Sequence, residues 1–332
     1  MTPTCRLGDG GPLTAAIGLG CMGMSGAYGP AEEAESIATI HAALDAGVTL
    51  LDTGDFYGMG HNELLIREAL GARDRGEALI SVKFGALRGP DNRWFGNDAR
   101  PAAVHNFAAY SLRRLGTDHI DIYRPARVDP SVPIEETVGA IAELVDAGYV
   151  RHIGLSEVSA ATLRRAHAVH PICDVQIEYS LLSRGIETSL LPSCRELGVG
   201  VTAYGILSRG LLSGAWSAQR AMTAGDIRAH MPRFQGGDLE HNLELVARAR
   251  TIADGLGVTL AQLAIAWVLA RGEEIVALVG TTRRTRLDEA LGALAVTLDA
   301  DTLAALDAAL PPGAAAGGRY PEAGMAQLDS ER

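Results

Sequence analysis

The sequence is poor in aromatic residues, at 5%, and poor in positive charge: 29 basic against 40 acidic side chains give a formal net charge of −11. A nucleic-acid surface needs clustered Lys and Arg to neutralise phosphates, so this balance argues against such a partner. Cysteine is scarce too. Cys5, Cys21, Cys173 and Cys194 show neither paired spacing nor a metal-ligand pattern, so they read as reduced thiols of a cytoplasmic protein, with no metal expected. The N-terminus, Met1-Thr-Pro-Thr-Cys-Arg, lacks an apolar signal segment, and no hydrophobic run reaches the length of a membrane span.

What is present is organised around Leu50-Leu-Asp52-Thr-Gly-Asp-Phe-Tyr57-Gly, with Asn62-Glu63 just after it. An apolar run reads as a buried strand ending at Asp52, and a Gly-punctuated loop then carries Tyr57. A second run, Ala78-Leu-Ile-Ser-Val82, ends in Lys83. The acid, the phenol and the ammonium converge only if the two strands are parallel neighbours. In such a cleft the ammonium is expected to lower the Tyr57 pKa, while Asp52 keeps Lys83 charged and oriented.

A hairpin is expected within the opening residues, from Cys5 to Leu13. Ile17-Gly-Leu-Gly20-Cys-Met22-Gly matches the dinucleotide pattern G-x-G-x-x-G, but no helix starts inside it as that motif requires. The glycines instead read as a strand end bordering a ligand. Strands ending near Asp52, Lys83, Tyr123, Ser156, Glu178, Tyr204 and Val279 then alternate with helical patterns near 31–46, 62–70, 101–115, 134–147, 159–169, 187–197, 240–256, 259–271 and 284–294. With the strand at Ile17, eight strand–helix units follow one another without a linker. They imply an α/β fold, a single (β/α)₈ TIM barrel over residues 1–311, with a doubly wound sheet as the rival. A long loop at 212–239 and a Gly- and Ala-rich tail at 312–332 fall on the C-terminal face, where barrel enzymes build their sites.

The strand ends in turn are Asp52, Lys83, Ala126, Ser156, Gln176, Tyr204 and Gly280. Ser156 and Gln176 suit an amide, and Tyr204 offers a stacking face. Thr281-Thr-Arg283-Arg284-Thr-Arg286 opens a helix, a good phosphate site. Taken singly, each feature has a plainer reading: a structural ion pair for Asp52 and Lys83, a packed aromatic for Tyr57, a solvated helix face for the arginines. Their joint placement at successive strand ends points to a nicotinamide-dependent carbonyl reductase.

The sequence also resembles the aldo-keto reductase family over nearly its whole length, in particular a bacterial branch of general aldehyde reductases and pyridoxal-reductase-like proteins. The motifs that carry this are Asp52-Thr-Gly-Asp-Phe-Tyr57-Gly, Asn62-Glu63, Val82-Lys83, Gly154-Leu-Ser156-Glu157, Gln176-Ile-Glu-Tyr-Ser180, Ala203-Tyr204 and Gly280-Thr281 with Arg286 and Glu289. The resemblance implies a catalytic tetrad of Asp, Tyr, Lys and His with Tyr as general acid, of which Asp52, Tyr57 and Lys83 are three members. Where the His is expected, Tyr123-Arg124-Pro-Ala126-Arg127-Val-Asp-Pro130 has Ala126. Arg124, of the same strand parity, is a candidate replacement cation or a packing residue. The resemblance also implies NADPH/NADP⁺ as cofactor. Ser156 and Gln176 would take its carboxamide, Tyr204 its ring, and Thr281 and Arg286 its adenosine phosphate. Gly20, Met22, Asp52, Gly205, Leu207, Ser208, Gly210, Gly280 and Glu289 would complete the surface. Glu157 and Ala290 stand where the family often has Asn.

The expected partner is a small carbonyl compound, aromatic or of medium size. Its pocket would be lined by Met22, Met24, Tyr28, Trp94, Phe95, Arg124, Ala126 and the 212–239 loop. The competing class is an NADPH-binding sensor with slow chemistry, favoured by the absent His. A Schiff-base lyase using Lys83 would leave the arginine cluster unexplained.

Overall fold

An antiparallel hairpin, β1 (Thr4–Arg6) with β2 (Leu13–Ala15), opens the chain. The computed structural model describes residues 2–71, 73–91, 93–220, 222–223 and 225–331. After the hairpin come β3 (Ile17–Gly20), α1 (Glu33–Asp45), β4 (Leu50–Gly54), α2 (His61–Leu70) and β5 (Leu79–Phe84). A second hairpin, β6 (Ala86–Arg88) with β7 (Trp94–Asn97), precedes α3 (Pro101–Leu115) and β8 (Ile120–Pro125). The chain continues through α4 (Ile134–Asp146), β9 (Val150–Ser156), α5 (Ala160–Val169), β10 (Ile172–Glu178), α6 (Leu190–Leu197) and β11 (Gly200–Tyr204). The last elements are α7 (Gly236–Leu256), α8 (Leu260–Leu269), β12 (Ile275–Gly280), α9 (Arg284–Gly292), α10 (Ala300–Ala309) and the short α11 (Glu322–Met325).

Eight of these strands close a parallel barrel in the order β3-β4-β5-β8-β9-β10-β11-β12, as the alternating sequence pattern implied, so the doubly wound alternative falls away. Local chemistry sets many of the boundaries. Pro101 starts α3, and Thr259 with Gln262 forms a capping box at α8. The β6–β7 hairpin and α10 lie outside the expected pattern. The second was legible: the Asp299 carboxylate caps the Thr302 amide at 2.8 Å, and Leu303, Leu306 and Leu310 follow at helical spacing. No single helix among the described residues is long and apolar enough to cross a membrane.

The barrel interior is layered. At the bottom Leu50, Ile122 and Val276 pack with Cys5, Leu7 and Cys173, so the N-terminal hairpin plugs that end. Polar groups fill the middle: the Arg124 guanidinium donates to Asp174 at 3.0 Å and to the Ser81 hydroxyl at 3.1 Å, and Thr202 donates to Asp174 at 2.5 Å. Gly154 makes this possible, since a Cβ there would lie 2.7 Å from Asp174 and 3.0 Å from the Arg124 guanidinium carbon. Above that layer stand Asp52, Lys83, Gln176 and Ser156.

Candidate active site

Parallel register puts Gly54 beside Lys83 and Asp52 beside Ser81, so the ends of β4 and β5 share one edge of the barrel mouth. The Lys83 ammonium donates to Asp52 at 2.5 Å. Gln176 and Ser81 donate to the other carboxylate oxygen at 2.7 and 3.0 Å, so both oxygens of the buried Asp52 are fixed. The loop after β4 is held from below by fully buried Asn62. Its amide oxygen accepts from Thr53 at 2.6 Å, and its nitrogen donates to the Cys21 carbonyl at 2.9 Å and to Ser25 at 2.8 Å. Gly58 and Met59, which directly follow half-buried Tyr57, both adopt left-handed backbone. The Lys83 nitrogen lies 5.2 Å from the centre of the Tyr57 ring.

The electrostatics differ from expectation in one respect. Burial and then the Asp52 charge raise the Tyr57 phenol well above its ordinary pKa; Arg127 is the cation that opposes them. Burial lowers the pKa of Lys83, Asp52 opposing it. The charge of Lys83 is engaged by Asp52, so Tyr57 stands as a neutral phenol with its proton in place. That is the state a general acid starts from.

The family model for the Aldo/keto reductase family matches residues 16–311. The chain belongs to that family. A probable aldo-keto reductase of Glycine max is 45% identical over 318 residues, 95% of this chain and 91% of the relative. Among solved structures, the glycerol dehydrogenase of Gluconobacter oxydans is 28% identical with a TM-score of 0.84, covering 92% of this chain and 94% of that one. An aldo/keto reductase from Klebsiella pneumoniae, in complex with NADP and acetate, is also 28% identical, with a TM-score of 0.73 and coverage of 96% and 99%.

Around the mouth of this aldo/keto reductase the residues fit a nicotinamide cofactor. Ser156 and Gln176 are register neighbours, and the buried Ser156 hydroxyl has no hydrogen-bond partner, an orphan that an amide would satisfy. The turn after β11 carries Gly205, half-buried Leu207, Ser208 and Gly210, with Ser208, Arg209 and Gly210 successively left-handed. Backbone this strained clusters at ligand-binding turns. Gly20 and Gly280 pair across β3 and β12, half-buried Met22 follows in the next turn, and buried Thr281 leads into α9. Of the arginines there, Arg284 is paired with Glu35 at 2.9 Å and Arg286 with Glu289 at 2.6 Å, while Arg283 is exposed. Glu157 does not stand ready for an amide. Both of its oxygens are taken, by Arg319 at 3.0 and 2.7 Å, Tyr204 at 2.7 Å and Ser330 at 2.6 Å. Burial pushes its carboxyl up, but Arg319 draws it down to about 2.

Of three further residues expected to line the pocket, two are buried and one is exposed. Arg124 is fully buried in the middle layer and bound to Asp174, because the strand parity that suggested it points it down the barrel axis. Met24 is buried in the main hydrophobic cluster. Phe95 is 66% exposed, since it alternates on β7 with Trp94, which packs edge-on against Phe56 at 5.8 Å. Tyr28 lies under Arg228 of the 212–239 loop, which also stacks on Trp216. Ala126 is buried just past β8, its amide bonded to the Phe84 carbonyl at 2.8 Å.

Sequence reasoning passed over Arg127, Arg209 and Tyr320. The tail brings Tyr320 back across the mouth, where its hydroxyl lies 3.0 Å from that of Tyr204 and accepts from Arg127 at 3.3 Å. The available signal was an Arg-Tyr pair in an otherwise Gly- and Ala-rich stretch. Among the described residues no cluster of three or more His, Cys, Asp or Glu is suited to a metal ion.

Proposed function

We propose that this aldo/keto reductase reduces aldehydes or ketones to alcohols with NADPH, Tyr57 acting as general acid. The observation that carries the reading is the convergence of Tyr57, Lys83 and Asp52 at one barrel edge, beside an unpartnered Ser156 hydroxyl. Bound NADPH supplies a hydride to the carbonyl carbon. Tyr57 gives its proton to the carbonyl oxygen. Lys83 stabilises the phenolate left behind, and Asp52, fixed by Ser81 and Gln176, keeps Lys83 placed and charged. Ser156 and Gln176 orient the carboxamide, Tyr204 backs the ring, and Arg283 and Arg286 with Thr281 receive the 2′-phosphate. The Klebsiella relative was solved with NADP, which supports the same cofactor here. The substrate side, with Tyr28, Trp94 and Phe56, favours aromatic or medium-sized carbonyls.

The test is NADPH oxidation with a panel of aldehydes. Tyr57→Phe should lower turnover by roughly 10²-fold or more with NADPH binding kept. Retained turnover in that variant removes Tyr57 from the role. Ala126 favours a second reading, a cofactor-binding sensor with slow chemistry; tight NADPH binding without turnover of any carbonyl would select it.

A further inference from the structure

Five arginines gather at the barrel mouth, and four have a carboxylate. Arg209 lies 3.0 Å and Arg233 3.7 Å from Glu178, Arg228 lies 2.6 Å from Asp226, and Arg319 lies 2.7 Å from Glu157. Arg127 is the exception: among the described residues it has no carboxylate within ion-pair distance. Its guanidinium folds back over its own strand end to donate to the Ala126 carbonyl at 2.6 Å, and its other nitrogen donates to the Tyr320 hydroxyl at 3.3 Å. A half-buried cation without a contacting counter-charge is costly; the Glu157 carboxylate acts on Arg127 only from beyond ion-pair distance and is itself bound by Arg319, so Arg127 suits a site where negative charge arrives during function.

We propose that Arg127, braced by Tyr320, is the second donor to the substrate's carbonyl oxygen, taking the place of the imidazole absent at Ala126. The proposal rests on the reductase reading above. Two other cations near the site are committed, Arg124 to Asp174 and Ser81, and Lys83 to Asp52. Arg127 also lies near enough to Tyr57 for its charge to oppose the upward push of burial and of Asp52. In the step, the carbonyl carbon gains the hydride and the nicotinamide is oxidised. The π pair becomes an oxygen lone pair that takes the Tyr57 proton, and Arg127 keeps all its protons and lends only hydrogen bonds and charge. Tyr320 is a positioning residue, touching Arg127 and Tyr204.

Arg127→Met removes the charge at similar length. Its turnover of a neutral aromatic aldehyde should fall roughly 10²–10³-fold, with NADPH affinity by fluorescence quenching unchanged. Adding Ala126→His to that variant should restore part of the loss. Tyr320→Phe should cause a smaller fall in kcat, and none when Arg127 is already Met. Acetate titrated calorimetrically into the NADP⁺-loaded protein reads the donor without turnover, because a carboxylate oxygen mimics the alkoxide; Arg127→Met should weaken it about tenfold or more. Undiminished kcat in Arg127→Met, alongside a dead Tyr57→Phe, overturns the proposal. So does a loss confined to KM for carboxylate-bearing aldehydes, which would make Arg127 a reader of substrate charge. A wild type without carbonyl turnover sinks the reductase reading instead. The acetate titration then still decides, equal affinity in both proteins overturning the role of Arg127. Should Arg127→Met not fold, Arg127→Lys carries the same comparison, with an intermediate fall expected and wild-type kcat fatal.

Discussion

Arg124 and Arg127 stand three residues apart at one strand end, and the barrel uses them in opposite ways. Arg124 lies in the middle layer, without exposure, its charge answered by Asp174, Ser81 and the Leu155 carbonyl. Arg127 lies one layer up, half-buried, with a carbonyl and a phenol for partners and no carboxylate. A buried cation paired with a carboxylate holds a shape, and does so here although the Arg124 Nε has no hydrogen-bond partner. One without a carboxylate at a mouth holds little and remains available. Burial of charge alone therefore does not mark a functional residue; its unanswered portion does.

The comparison can be broken most forcefully in the middle layer. Asp174→Ala leaves Arg124 buried without its partner and should destabilise the fold by about 3–5 kcal/mol, visible as a lowered urea midpoint. Arg127→Met should move that midpoint little. Equal losses in the two would erase the distinction.

Arg319→Ala tests the tail, with an intermediate effect expected. Glu157 would keep Tyr204, Ser330 and the Glu178 amide but lose two charged hydrogen bonds, so a loss of about 1.5–3 kcal/mol is expected, with faster proteolysis after residue 311. The pH dependence sharpens this. A carboxyl held at about 2 instead of 4.5 gives stability that is present above pH 4.5 and lost as pH falls toward 2, and that slope should flatten in Arg319→Ala. An unchanged acid limb would assign the depression to other donors.

Arg286→Ala should weaken NADPH by about 1.5–3 kcal/mol and leave NADH nearly unchanged, measured by direct binding. Equal losses would show that this exposed arginine, already paired with Glu289, does not read the 2′-phosphate.

A last test is at Asp55, a buried acid that is the reverse of Arg127 in sign. Its carboxylate is only weakly held, facing the Gly85 and Phe56 amides with no strong hydrogen bond. Burial, then the Glu63 charge, raise its pKa from 3.8 to about 7, Arg114 opposing them. Stability linked to it is full below pH 3.8 and declines as pH rises through about 7. Asp55→Asn should remove that decline, and a thermal midpoint with the same slope between pH 4 and 7 would show that another group titrates.

The sequence by itself determined the order of the eight barrel strands and the helices between them, the closure into a barrel, and the positions of Asp52, Lys83, Ser156, Gln176 and Tyr204 toward the strand ends. Period-two and period-3.6 patterns, caps and turn glycines act over a few residues, so they can be read along the chain. Only the tertiary structure decided which charges answer one another. Arg124 meets Asp174 because the register of β8, β9 and β10 aims both inward past Gly154. Glu157 meets Arg319, and Tyr204 meets Tyr320, because the tail returns over the mouth from more than a hundred positions away. Nothing local specifies such contacts. They follow from where closure of the barrel leaves unanswered charge and apolar surface, and that is set by the packing of distant segments against each other.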